Sequence, residues 1–348
     1  MREVWFAIPG DLETLTGGYI YAKKLVKHLP EFGWTPKVLR LPNAFPYPSD
    51  ADLDETHKIF SALPKGAVLM VDGLVLGATP EKILDKVQAR IVALVHHPLA
   101  LESGLSESDT DYFYETEKGA LRFTAQIITT GPDTARTLAS RYEAPLEKLF
   151  VARPGTNPAQ RAPRFNIPPT LLCVATLTYR KGHDILVEAL SKVAELSWNC
   201  TCVGSLERDP NVVTQIRNAI SVHTLDDRVR LCGELSGDDL EHLYMQSDIF
   251  VLPSRHEGYG MAFTEALAHG LPIVACAAGA VPETVPADAG LLVPPEDPAA
   301  FAQALRTLIT DIQKYSVLSD ASWRHGQTLP RWSDTAHSVA KALDAAAA

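Results

Sequence analysis

The sequence predicts an α/β protein of two domains, each built on a parallel sheet with helices on both faces. Three observations carry this expectation. The chain has 348 residues, more than one hydrophobic core ordinarily serves and enough for two. Short apolar runs recur along it, separated by stretches of helical spacing, the pattern of strands buried on both faces. Over residues 153–170 that pattern gives way to RPGTNPAQRAPRFNIPPT, with prolines at 154, 158, 163, 168 and 169, a composition suited to an interdomain linker.

In chain order, residues 3–8 read as the first strand, 9–18 as a polar loop ending in Gly17-Gly18, and 19–29 as a helix, the opening of a Rossmann-like unit. Further strands are predicted at 37–41, 67–71, 91–95, 126–130 and 148–152. The second domain repeats the outline, with strands at 171–175, 199–203, 229–232, 249–252, 273–276 and 291–293 and helices at 183–196, 238–247 and 297–310. Residues 332–348 have helical spacing and an alanine-rich end. Ligands bind such sheets beyond the carboxyl ends of the strands. Gly17 and Gly18 fall at one such end, where glycine allows close backbone approach to a phosphate or sugar, turn geometry being the other reading. His96 and His97, in VHHPLALESGL, fall at another.

Composition excludes some classes of partner. A net charge of −10 and an isoelectric point near 5.6 give no general attraction to nucleic acid or anionic lipid. The basic residues Lys23, Lys24, Lys27, Lys37 and Arg40 read as a solvated face rather than a binding patch. The five cysteines, Cys173, Cys200, Cys202, Cys232 and Cys276, lie in predicted strands or at their ends. Their odd number, and the lack of C-x-x-C spacing or a Cys/His set, argue against a disulfide framework and against zinc. The N-terminus has no apolar signal core, and no run is long enough to span a membrane. The expectation is a cytoplasmic protein, with peripheral membrane contact left open.

The centre of the chain's chemistry is 249–284, IFVLPSRHEGYGMAFTEALAHGLPIVACAAGAVPET. It reads as strand, glycine-bearing loop, helix from 261 to 269, a stop at Gly270 and Pro272, and a second strand. The helix start offers N–H groups and a positive dipole end to an anion or a hydroxyl-rich group. Glu257 and Glu265 frame the turn. The segment EGYGMAFTEALAHGLPIVA closely resembles E-G-F-G-x-x-x-x-E-A-M-A-x-G-x-P-V-V-A, the motif of retaining glycosyltransferases of family four. The resemblance implies the GT-B fold: two Rossmann-like domains facing across a cleft, with the last helix crossing back to the first. The domains would then be 1–155 with 331–348, a linker at 156–169, and a nucleotide-sugar-binding domain at 170–330.

What the resemblance implies for activity is transfer of a hexose-type sugar, with retention of anomeric configuration. The donor would be a nucleotide diphosphate sugar, UDP- or GDP-linked, with no metal and no further cofactor. The acceptor (lipid, glycan or small molecule) and the oligomeric state stay open. The loop TLTYRKG resembles the family's G-R-L-x-x-x-K-G at Lys181 and Gly182. It departs at Thr176, where the family usually has arginine, so either Arg180 supplies the guanidinium from a shifted position, the favoured reading, or phosphate clamping relies more heavily on Lys181. Together Arg180 and Lys181 would offset charge on the departing diphosphate. Glu257 and the backbone of Gly258, Tyr259, Gly260, Met261 and Ala262 are assigned to the donor sugar, Glu265 to the ribose diol, and Gly233 to Leu235 to the base. The resemblance also places Gly17-Gly18 over the donor. His96 aligns with the family's H-D or H-N histidine, the choice between it and His97 staying open, and Glu102 is placed on the acceptor side. PGTN, with Gly155 and Asn157, is an altered form of the family's N-G-x-D.

Two D-x-D strings, Asp50 with Asp52 and Asp109 with Asp111, resemble metal-binding strings of another glycosyltransferase fold but read as chance in polar loops. The competing readings are a nucleotide-sugar epimerase or phosphorylase on the same fold, or a non-catalytic nucleotide-sugar-binding protein. A dehydrogenase is disfavoured because GYGMAF lacks the third glycine of G-x-G-x-x-G.

Overall fold

The computed structural model describes residues 2–102, 104–163 and 166–348. Arg164 and Phe165, in the predicted linker, and Ser103, in the segment after the two histidines, lie outside the described residues. The chain forms two compact units, Met1–Gly155 with Pro330–Ala348, and Thr156–Leu329.

In the first unit the strands are β1 (Arg2–Pro9), β2 (Trp34–Leu41), β3 (Val68–Asp72), β4 (Arg90–Val95), β5 (Thr124–Thr129) and β6 (Leu149–Val151). They form one sheet in the order β2-β1-β3-β4-β5-β6, with every pair parallel. The second unit holds β7 (Thr170–Val174), β8 (Asn199–Val203), β9 (Val229–Leu231), β10 (Ile249–Leu252), β11 (Ile273–Cys276) and β12 (Gly290–Val293). Their order is β12-β11-β10-β7-β8-β9, again all parallel. Every residue of β3, β10 and β11 is buried, as a sheet covered on both faces requires. Each sheet reverses its direction of growth once, between β1 and β3 and between β7 and β10. Such a reversal opens a crevice at the carboxyl ends of the two strands, and the candidate residues gather there.

The differences from expectation have local causes. Strand β2 starts at Trp34, ahead of the predicted 37, and includes Pro36. It lies at the sheet edge, where a missing N–H costs no ladder bond. Gly17 and Gly18 are not loop residues but the first turn of the helix Gly17–His28. The D-x-D strings are not in loops either. Asp50 and Asp52 open the helix Asp50–Ser61, where Ser49 and Asp52 form a capping box. Asp109 and Asp111 lie in the helix Glu107–Leu121, capped by Ser106. The helix predicted at 183–196 runs only over His183–Ser191.

The proline-rich segment read as an interdomain linker makes contacts within the second unit. Ala162 is buried in that unit's core and its N–H donates to the His269 carbonyl at 2.9 Å. Arg161 Nη2 donates to Asp320 Oδ1 at 2.6 Å. The final helix, Trp332–Ala347, belongs to the first unit, as the fold reading implied. It buries Trp332, Ala336, Val339, Ala340 and Leu343. Thr335 Oγ1 donates to the Arg153 carbonyl, and Arg90 Nη1 donates to the Ala346 carbonyl.

Candidate functional site

The loops after β7 and β10 lie at the second unit's sheet reversal and hold one another in place. After β7 the chain makes a 3₁₀ turn, Tyr179–Lys181, ended by Gly182 at φ 69°. A Cβ on Gly182 would come within 2.1 Å of the Pro253 carbonyl oxygen, so only glycine lets the two loops meet this closely. Arg255, from the loop after β10, ties them. Its N–H donates to the Arg180 carbonyl at 2.8 Å, and its Nη1 to the Tyr179 carbonyl at 2.6 Å. Its guanidinium is bidentate to Asp184 at 2.9 and 2.7 Å and stacks 3.8 Å from the Tyr179 ring centroid.

Inside this frame sits Glu257, only 4% exposed. Lys181 Nζ donates to its Oε1 at 2.7 Å, Ser254 Oγ to the same oxygen at 2.6 Å, and Arg180 Nη1 lies 3.5 Å from Oε2. Burial alone would raise the carboxyl's pKa. Lys181 and Arg180 overcome it and hold the group at about 2. Arg180 also donates to the His256 carbonyl at 3.0 Å. The structure therefore brings Arg180, Lys181 and Glu257 together. It adds Ser254 and Arg255, which no motif singled out and whose roles depend on how the two loops cross.

Beyond Glu257 the chain enters the helix Met261–Ala268 through Gly260, at φ 86° and with no side-chain cap. Gly279, at φ 55°, packs against this loop; a Cβ there would lie 2.4 Å from the Glu257 carbonyl, which accepts the Ala280 N–H. The Tyr259 carbonyl accepts the Thr284 hydroxyl at 2.7 Å. Met261 and Ala262 are partly exposed in the first turn, and Gly258 precedes it. One turn on, Glu265 is half-buried and its Oε2 accepts the Tyr244 hydroxyl at 2.9 Å. Gly233, after β9, has φ 74° and open space where a Cβ would stand, while Leu235 packs against the core.

The first unit gathers the other predicted residues at the ends of β1, β3 and β4. Gly18 lies beside the His96 ring, where a Cβ would make an ordinary contact 3.4 Å from Nε2. His96 Nε2 is 3.7 Å from Asp72 Oδ2, and its ring meets Tyr21 edge-on at 5.3 Å. His97 turns elsewhere, its Nε2 3.2 Å from Glu102 Oε2. The two histidines, adjacent in the sequence, thus have different partners. Asp72 escaped the sequence reading because it ends a strand with no motif around it.

One cluster corrects the sequence reading directly. No Cys/His ligand set was legible, yet Cys173, His183 and Cys202 are buried with ligand atoms within 4.8 Å of one another. Cys173 and Cys202 are register neighbours on β7 and β8. His183 opens the next helix, and its Nε2 is 3.6 Å from Cys173 Sγ. Pairing across a sheet is invisible to a search for close spacings along the chain. The thiols also hydrogen-bond one another, which pulls Cys202 well below the usual thiol range and pushes Cys173 above it.

Comparison with known proteins bears on the fold and on the second unit. Residues 168–311 match the family model described as Glycosyl transferases group 1. D-inositol 3-phosphate glycosyltransferase of Salinispora tropica is 27% identical over 231 residues, covering 58% of this chain and 47% of the relative. The putative colanic acid biosynthesis glycosyltransferase WcaL of Escherichia coli is 32% identical over 176 residues, 46% of this chain and 42% of the relative. The chain thus spans about half the length of these curated relatives. Among solved structures, sucrose-phosphate synthase of Thermosynechococcus elongatus superposes with a TM-score of 0.84 at 21% identity, covering 98% of both chains. HepE of Anabaena, solved with UDP-glucose, gives 0.78 at 16% identity, covering 99% of this chain and all of that one. Two six-stranded parallel sheets of this topology, shared with these solved structures, give the chain the GT-B fold, and residues 168–311 of its second unit resemble the Glycosyl transferases group 1 family.

Proposed function

We propose that the protein transfers a hexose-type sugar from a nucleotide diphosphate sugar to an acceptor, with retention of configuration. The observation that carries this reading is the cluster at the sheet reversal of the second unit, where two cations converge on a buried carboxylate. Lys181 and Arg180 are 17% and 18% exposed, desolvated enough to act strongly on a nearby anion. They are held in advance by Glu257, Ser254 and the Arg255 tie. Cations fixed where negative charge develops stabilise a departing diphosphate without reorganising during the reaction.

In this reading Lys181 and Arg180 neutralise the leaving group. The backbone from Gly258 to Ala262 and Glu257 hold the sugar hydroxyls. Glu265 accepts from the ribose diol, and Gly233 to Leu235 meet the base. In the first unit Gly18 and His96 stand together as a separate group, with His97 turned to Glu102. No side chain is cast as a covalent nucleophile, so the acceptor attacks the face the diphosphate leaves. The chain shares its fold with HepE, solved with UDP-glucose, and this supports a UDP-sugar as the first donor to try. No described helix is long and apolar enough to cross a membrane, and lipid, glycan and small-molecule acceptors are all to be tried.

The test is transfer and donor hydrolysis with UDP-, GDP- and ADP-glucose. Glu257→Gln and Lys181→Met are expected to lower turnover on the order of a hundredfold or more. Removing Lys181 also leaves a buried carboxylate short of a partner, which costs about 3 kcal/mol, so the variants are compared below their melting temperatures. Near-normal turnover in either folded variant would contradict the assignment.

A further inference from the structure

We propose that Tyr244 is a positioning residue for the nucleoside end of the donor, its hydroxyl fixing Glu265 so that the carboxylate meets both ribose hydroxyls at once. This rests on the reading of Glu265 as the ribose ligand. Nothing in the sequence motifs points to Tyr244, which reaches the site from a separate helix, Asp238–Met245.

The geometry is that of a braced lever. Tyr244 is 2% exposed, and its hydroxyl donates to Glu265 Oε2 at 2.9 Å. Its ring lies against His269, 4.7 Å between centroids and 9° from parallel, and beside Phe250 at 6.2 Å. His269 is pinned in turn. Its Nδ1 is 2.7 Å from the Glu265 carbonyl oxygen, one turn back along the chain. The phenol therefore cannot swing away from Glu265 without breaking a stack that the same helix supports.

Glu265 itself is half-buried. A glutamate has three rotatable bonds, and an unrestrained one must surrender that freedom when it binds a diol. A carboxylate has about four lone-pair positions, so accepting one phenol proton leaves capacity for two ribose hydroxyls. The bland alternative is that the hydroxyl merely needs a partner in the core. The Ala262 carbonyl at 3.4 Å is a poorer acceptor than the carboxylate, yet it is the one a purely structural role would leave available.

The experiment titrates the full chain with UDP, GDP and ADP, takes the tightest binder, and repeats the titration with its 2′-deoxy counterpart. Wild type is expected to prefer the ribose form. Tyr244→Phe keeps the ring stack and loses only the hydroxyl. It is expected to weaken the ribose form about tenfold and the deoxy form much less, so that discrimination shrinks. In a Glu265→Gln background the same change is expected to have no further effect. If Tyr244→Phe melts like the parent and keeps full discrimination, or weakens both nucleotides equally, the positioning role is overturned while the ribose role of Glu265 stands. If wild type does not discriminate, or Glu265→Gln discriminates as well as wild type, the ribose reading falls and this proposal falls with it.

Discussion

Gly182 illustrates how a single residue sets the site. It has φ 69°, and a Cβ would lie 2.1 Å from the Pro253 carbonyl oxygen, so two penalties act together: backbone strain and a collision with main chain. Gly182→Ala is expected to destabilise the protein by about 2 kcal/mol or more, read as a lowered urea midpoint with unchanged slope. A midpoint equal to wild type would mean that the loops can part at little cost. Lys181, Gly182 and Glu257 were legible in the sequence because each stands in a short run whose order carries the chemistry. Ser254 and Arg255 stand in the same runs and were passed over. Their value lies in reaching Glu257 and Asp184, and those contacts follow from the crossing of two loops. Asp72 and Tyr244 were missed for the same reason at longer range.

Among the elements, the segment that follows the two histidines is held by a buried acid. Glu117, 1% exposed in the helix Glu107–Leu121, accepts the Leu99 N–H at 3.0 Å. Burial pushes its carboxyl up to about 8, against a smaller lowering by that N–H. A carboxyl whose pKa is raised by folding stays protonated in the native state after the unfolded chain has lost its proton. Its contribution is therefore complete below the ordinary value of 4.5 and is lost as pH rises toward 8. Glu117→Gln cannot ionise, and is expected to flatten the fall in stability across that window, seen in chemical denaturation at pH 5, 6.5 and 8. An unchanged pH slope would contradict the assignment. Nothing along the chain hints at this, since a glutamate on a helix reads as solvent-facing until the opposing loop is known. Strand cores were far more legible: β8, β10 and β11 stand at their predicted bounds, because an apolar run between turn residues needs no tertiary information. Pro36 and the capped aspartates misled where position in the sheet or a cap decided the outcome.

For the whole molecule, two units with separate cores were foreshadowed by length and by the proline-rich stretch. Within the second unit, that stretch places Ala162 in the core. The reach of the sequence is uneven between the units. The family match covers 168–311, which contains the Glu257 cluster and Glu265, whereas Gly18, Asp72 and His96 lie in a unit where no comparable motif orders the residues. Recognition of a donor by the second unit is the step on which the proposed activity depends. A thermal-shift series with UDP, GDP and ADP and their glucose conjugates addresses it, comparing the wild-type chain with Glu265→Gln. The expectation is a concentration-dependent rise in melting temperature with one nucleotide family, reduced in the variant; no stabilisation by any of them would contradict the donor site proposed for the second unit.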